Sequence, residues 1–164
     1  MLLLSSLVFS AFPFTAIGFS IAVPFRFLRY AWLGDFDKAM IKLVKRYRVL
    51  ADGYAWNLVM DECNKTMAFA HGDLLFVFNW HPSASIPDYE LPVQAPGKYV
   101  PLLSTDERRF GGQERQAMDG EHFSFPAQDG DNTERPHIRI YNTSRTATVY
   151  LRTDGRQPSA VTGK

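Results

Sequence analysis

The sequence predicts a mainly β fold, an antiparallel β-sandwich preceded by one amphipathic helix and an apolar N-terminal segment. Three observations carry this. From Asn57 onward, short β-like runs alternate with turn residues about every eight to twelve positions, the spacing of a sandwich or barrel. One of those runs, within Gly72 to His81, is apolar on both alternating faces. Ahead of them lies a single stretch with helical periodicity. At 164 residues, 46% hydrophobic and 21% charged, the chain is long enough for one domain with a real core. It is too short for a TIM barrel, which needs about 200 to 250 residues.

Met1 to Phe25 carries no charged side chain and is followed at once by Arg26-Phe-Leu-Arg29. Three readings stay open. As a signal peptide it offers Ser20-Ile-Ala22 for cleavage but lacks a basic n-region, and its apolar run exceeds the usual length of about 15 residues. As a membrane span it reaches the required length of roughly 20 residues, with Arg26 and Arg29 as a cytoplasmic flank, although Pro13, Gly18 and the serines weaken it. The third reading is a segment foreign to the fold, from a gene model or a truncation.

The spacing predicts a helix over Asp35 to Tyr47, because Phe36, Met40, Leu43, Val44 and Tyr47 form one stripe. Asp35 or Gly34 caps it. Lys38, Lys42, Lys45 and Arg46 take the other face, weighted toward the C-terminal end where the dipole favours cations. Such a basic face is more often solvated than membrane-bound.

Asn57 to Met60 and Lys65 to Ala70 flank Asp61-Glu-Cys-Asn64 and predict a hairpin. The hairpin leads into the central strand, where Phe76, Phe78 and Trp80 point to one face and Leu75 and Val77 to the other. A run this short also fits a buried helix segment, but the Phe, Val and Trp content and the flanking Gly72 and Pro82 favour strand. Lys98 to Ser104, after the Pro96-Gly97 turn, predicts a further strand. Ile138 to Tyr141 and Thr146 to Arg152 predict two more, the last with Ala147, Val149 and Leu151 alternating against Thr146, Thr148 and Tyr150. Asp106 to Arg135, rich in Gly, Asp, Glu, Gln and Arg, reads as a long surface loop system. Thr153 to Lys164 reads as a frayed tail.

Reactive chemistry is scarce. With 18 basic and 17 acidic side chains interspersed, the chain carries no electrostatic footprint for nucleic acid. The lone Cys63 excludes an intrachain disulfide and reads as a half-buried small residue. His71, His81, His122 and His137 stand singly without metal-ligand spacing, so no metal and no cofactor is expected. The carboxylate neighbours Asp61-Glu62, Asp106-Glu107 and Asp129/Asp131 fall in predicted turns, where such residues serve backbone hydrogen bonds, and no catalytic residue is assigned. Aromatics beside loops are the better lead. Trp80, Tyr89, Phe110 and Phe123 offer flat rings for a sugar face or for a domain interface, and interface is the commoner use. Asn64-Lys-Thr66 and Asn142-Thr-Ser144 match the glycosylation sequon, which matters only in a secreted chain.

Several pieces, in order, then carry a family resemblance: Leu28-Arg-Tyr30 with Asp35-Phe-Asp37-Lys-Ala-Met40, Asp73-Leu-Leu-Phe-Val-Phe-Asn79-Trp-His81, Asp88-Tyr89, Pro96-Gly-Lys-Tyr99, Phe110-Gly-Gly112, Glu134-Arg-Pro136 and Ser144-Arg-Thr-Ala147. From about Phe27 to Leu151 the chain resembles the C-terminal end of a 1,4-α-glucan branching enzyme of the α-amylase superfamily. Two departures stand out: the position of Trp80 is more usually phenylalanine in the family, and nothing there resembles Met1 to Phe25.

The resemblance implies four parts: an apolar leader or non-native segment at 1–25, a helical remnant of the end of the catalytic barrel at 26–50, a C-terminal all-β domain at 54–152 and a flexible tail at 153–164. It implies transfer of α-1,4-glucan segments to 6-hydroxyl acceptors in the full-length enzyme, by barrel carboxylates that this chain does not carry. The implied partner is the catalytic (β/α) barrel of the same enzyme, with α-glucan contact through Trp80 and Tyr89 as binding candidates. The family implies a cytoplasmic or plastid location, and a membrane or secreted one follows only if 1–25 is a genuine span or signal. A stand-alone carbohydrate-binding or membrane-anchored β-sandwich module is the alternative.

Overall fold

The computed structural model describes residues 30–51, 53–129 and 133–153, so segment 1–25 and nearly all of the expected tail lie outside it. One helix, α1 (Ala31–Arg46), precedes nine strands. These are β1 (Trp56–Asp61), β2 (Thr66–His71), β3 (Leu74–Asn79), β4 (Ile86–Pro92), β5 (Lys98–Ser104), β6 (His122–Phe123), β7 (Phe125–Gln128), β8 (Glu134–Asn142) and β9 (Thr146–Thr153). They form a six-stranded sheet in the order β1-β2-β3-β9-β5-β6 and a three-stranded sheet in the order β4-β8-β7, antiparallel throughout.

Alternation along each strand sends one set of side chains into the space between the sheets. Ala68, Leu75, Val77, Tyr99 and Tyr150 from the large sheet meet Leu91, Ile138 and Ile140 from the small one. Tight turns fix the registers. Gly72, at φ 59°, supplies the left-handed residue between β2 and β3, and the adjacent Asp73 carboxylate accepts Arg152 Nη2 at 2.6 Å. In β5 the register shifts between Pro101 and Leu103, which turns Leu103 to the outer face while Ser104 faces inward and bonds Thr148 at 3.0 Å.

The large sheet has a second apolar face, and α1 lies on it. Leu43, Leu74 and Leu103 are buried there, packed by Phe36, Ala39, Tyr47, Phe76, Val149 and Leu151. The helix begins one turn earlier than the sequence suggests, with Tyr30 rather than Gly34 or Asp35 at its N-cap. Tertiary packing sets that start, because Trp32 lies over Gly111, where an added Cβ would come within 2.5 Å of its ring. Met40, expected in the buried stripe, is exposed.

Two other expectations change, and one strand is added. Residues 106–135 are more than surface loop, since they hold a 3-10 turn at Arg108–Phe110 together with β6 and β7, and they bury Asp106 and Gln116. β4 was not legible in the sequence; its pairing with β8 makes it a strand despite Pro87, Asp88, Glu90 and Pro92. Cys63 is exposed, because it sits in the β1–β2 turn rather than on a strand face.

The 106–117 connection is organised by one ion pair. Asp106, 3% exposed, accepts Arg115 Nη2 at 2.8 Å, Arg115 Nε at 3.1 Å and the Arg115 backbone N–H at 2.6 Å. The same guanidinium donates to the Ser144 carbonyl at 3.1 Å, tying the loop to the β8–β9 turn. Gly112 crosses so close to the Asp106 backbone that a Cβ there would lie 2.1 Å from it. Burial pushes the Asp106 carboxyl upward, but the hydrogen bonds from Arg115 and Gln113 outweigh it and hold it below 3.8. Asp106→Asn should therefore cost about 2 to 4 kcal/mol in urea unfolding, less than for a fully buried pair because the guanidinium is partly solvated. With its folded value depressed, the carboxylate's contribution is fully present above the unfolded value of 3.8 and is lost as pH falls through the folded one. Acid titration of wild type and variant should show the difference between them shrink only in that window.

Candidate functional site

Strand register arranges the outer face of the large sheet into apolar rungs. Met60 opposes Met67, Met67 opposes Phe78 and Phe78 opposes Ala147; one step along, Phe69 opposes Phe76 and Phe76 opposes Val149. The next rung, His71, Leu74 and Leu151, lies at the α1 end. The helix covers that end and leaves the first rung open. There the rings of Phe69 and Phe76 stack at 4.8 Å, Phe69 and Phe78 at 5.9 Å, and Phe78 and Trp80 at 5.4 Å. Trp80, 58% exposed, closes the row. Beside it a shallow pocket of about 350 Å³ is lined by Phe78, Asn79, Trp80, Thr105, Arg145, Thr146 and Ala147.

Local hydrogen bonds hold Trp80 outward. Its N–H donates to the Lys65 carbonyl at 2.9 Å. On one side the buried Asn79 donates Nδ2 to the Asn142 carbonyl at 3.2 Å and to the Ala84 carbonyl at 3.3 Å, while its Oδ1 accepts the His81 N–H at 2.8 Å. On the other side His81 Nδ1 accepts the Ala84 N–H at 2.8 Å. The backbone at Trp80 is thus held on both flanks. Asn142 is buried and donates to Thr66 Oγ1 at 2.8 Å, so that sequon offers no accessible amide.

The helix carries exposed apolar residues of its own. Its N-terminal half is clamped by Phe110, edge-on to Phe36 at 5.2 Å, while Trp32, Leu33, Met40 and Ile41 remain exposed. Singly exposed apolar residues are ordinary, but a contiguous set is the mark of an interaction surface.

The four sequence-predicted aromatics are not brought together. Trp80 stands on the outer face. Tyr89 lies in β4, packs against the core between the sheets and donates its hydroxyl to Asp61 at 3.1 Å. Burial, and then the Asp61 charge, push that phenol well above its ordinary value. Phe110 is half-buried under α1, and Phe123 is exposed on β6. Met67, Phe69, Arg145 and the exposed side of α1 were not singled out from the sequence. The signal was available only through the strand register, which is a non-local property.

The carboxylates serve structure. Asp61 accepts the Asn64 N–H at 3.0 Å and its Nδ2 at 2.6 Å, which with Tyr89 hold its carboxyl low. Glu107 accepts the Ser104 N–H at 2.9 Å, and Asp129 is shared by His137 at 3.0 Å and Arg135 at 3.2 Å. Among the described residues no three His, Cys, Asp or Glu side chains cluster as a metal site, and no helix is long and apolar enough to cross a membrane. The arrangement is suited to contact.

Residues 56–153 match the family described as the α-amylase C-terminal all-β domain. The chain is 36% identical over 128 residues to a 1,4-α-glucan-branching enzyme of Dictyostelium discoideum, covering 77% of this chain and 18% of that one. It is 38% identical over 125 residues to the chloroplastic/amyloplastic branching enzyme 2-2 of Arabidopsis thaliana, 76% of this chain and 15% of that protein. A potato (Solanum tuberosum) branching enzyme is 40% identical over 99 residues, 60% of this chain and 12% of its own length. The chain therefore spans less than one fifth of the relatives it matches.

Asn79→Ala should orphan the buried carbonyl of Asn142, the part-buried carbonyl of Ala84 and the N–H of His81, costing about 2 to 4 kcal/mol, whereas Trp80→Ala should cost under about 1 kcal/mol because the ring is more than half solvated. Paired urea titrations check this contrast.

Proposed function

The chain belongs to the α-amylase C-terminal all-β domain family, and on that premise we propose that it serves as the C-terminal β-domain of a 1,4-α-glucan branching enzyme, stabilising the catalytic barrel rather than making bonds. The observation that carries this reading is the two-sided apolar character of the large sheet. Among the described residues its inner face is covered by the small sheet and its outer face by α1 at one end. We assign α1 to the closing helical portion of the barrel and residues 54–152 to the all-β domain. On this reading α1 is the first piece of the barrel surface to be seated. The aromatic row ending at Trp80 and the exposed residues of α1 continue that interface.

Trp80 is the ring we place at the barrel contact, with glucan contact at its pocket as the second use, favoured by the adjacent Arg145, Thr105 and Thr146. Tyr89, through its bond to Asp61, holds β4 against the β1–β2 turn. The location follows the enzyme, cytoplasmic or, as the Arabidopsis relative's name carries, plastid.

Two assays test this. The purified chain should leave the iodine spectrum of amylose unchanged, because positioned carboxylates supply the rate and those described here are engaged in structure. Branching or hydrolysis that persists after control purification contradicts the assignment. Added to a separately expressed branching-enzyme barrel lacking its own β-domain, the chain should raise the barrel's melting temperature, and Trp80→Asp should weaken that effect. Maltooligosaccharide alone should give little thermal shift; a shift following RT ln(1 + [L]/Kd) would instead favour a carbohydrate-binding module.

A further inference from the structure

A groove between α1, the outer face of β5 and the 3-10 turn gathers cations. It holds about 230 Å³, and Lys42, Arg46 and Arg109 line it with no acidic residue among its lining. The floor is apolar, with Leu43 and Leu103 buried and Leu102 half-buried.

Two of the three cations are oriented within the chain. Arg109 donates Nε to Glu107 at 2.8 Å and Nη2 at 3.0 Å, and its guanidinium lies 4.5 Å over the Phe110 ring. Glu107 is itself fixed by the Ser104 N–H at 2.9 Å and occupies only part of a guanidinium that has five N–H donors. Arg46 lies 5.6 Å over the Tyr47 ring. Lys42 and Arg46 are one helical turn apart, a spacing at which like charges cost helix stability. Among the described residues neither has a carboxylate partner, and residues 1–29 contain no Asp or Glu. Asp35, two turns before Lys42, is taken by Lys38 at 3.2 Å.

We propose that this groove binds a phosphate monoester, with its head taken by Lys42, Arg46 and Arg109 and its small organic body laid on Leu102 and Leu103. Charge selects the head. One arginine satisfies a carboxylate, which has a single charge and two oxygens, whereas a phosphate monoester near its second charge has three terminal oxygens and accepts from several cations at once. Size selects the body, because the groove lies below the roughly 300 Å³ at which pockets for drug-sized ligands begin. A soluble ester and the headgroup of a lipid monoester share this chemistry, and the test separates them. The inference does not rest on the enzyme assignment, since the groove lies over β5, two strands from β3 and its aromatic row.

The test titrates the full chain by calorimetry at physiological ionic strength, where charges beyond about 8 Å are screened. The probes are glucose 6-phosphate, glucose, inorganic phosphate, and phosphatidylcholine vesicles with and without phosphatidic acid. Glucose 6-phosphate should bind at one site and more tightly than inorganic phosphate, and glucose should not bind. Lys42→Gln/Arg46→Gln should weaken the ester about tenfold or more. Lys38→Gln/Lys45→Gln removes the same charge from the same helix outside the groove and should leave the affinity within about twofold. All four positions are exposed, so circular dichroism should be unchanged in both variants. Binding confined to vesicles that carry phosphatidic acid, lost in the first variant and kept in the second, assigns the lipid-borne ester. Equal losses in the two variants, equal affinity for inorganic phosphate and the ester, or no binding in either arm overturns the proposal.

Discussion

Both alternating faces of β3 are apolar, and a sheet built around such a strand needs two covers. Leu75 and Val77 go inward with buried Asn79 beside them; Leu74, Phe76 and Phe78 go outward. Burying either set contributes about 1.5 to 3 kcal/mol per large side chain, so leaving one face wet would cost a large part of a small domain's stability. The small sheet solves the inner problem completely. α1 solves the outer one in part, over Leu74 and Leu103, and stops short of Phe78 and Trp80. Among the described residues the remainder of that face carries the aromatic row that ends at Trp80.

Polar groups decide where the apolar faces end. Asn79 terminates β3 and sets the exit of the chain, so that Trp80 emerges on the outer face and His81 is held in the following turn. Asn142 and Thr66 join β8 to β2, and the Asp106–Arg115 pair pins the 106–117 connection against Ser144. The bonds from Asn79 to Asn142, from Asn142 to Thr66 and from Arg115 to Ser144 span elements distant in sequence. Removing one partner exposes the desolvation cost of the other, which is why such interior contacts specify a single arrangement.

β-like runs bounded by turn residues were legible in the sequence. The runs expected at 57–60, 65–70, 72–81, 98–104, 138–141 and 146–152 fall in β1, β2, β3, β5, β8 and β9, and β3 is central as expected. β4 was not legible, because Pro87, Asp88 and Pro92 are turn residues locally and only pairing with β8 makes them extended. β6 and β7 are too short for a period to register. The helix start was missed because Trp32 meets Gly111, a contact that no capping rule encodes. Of the candidate site, Trp80 was legible as an aromatic beside a turn. Phe69 and Met67 were not, since they join its row only through Phe78 and the β2–β3 register, and Tyr89 separates from it because β4 faces the interior.

We propose that the outer face of the large sheet, with the exposed side of α1, docks on the catalytic barrel. Amide hydrogen exchange of the chain with and without a separately expressed branching-enzyme barrel measures this directly. The account predicts slowed exchange over Met67 to Trp80 and along α1, with β4, β7 and β8 unchanged. Protection confined to the three-stranded sheet, or none on either sheet at saturating barrel, would contradict it.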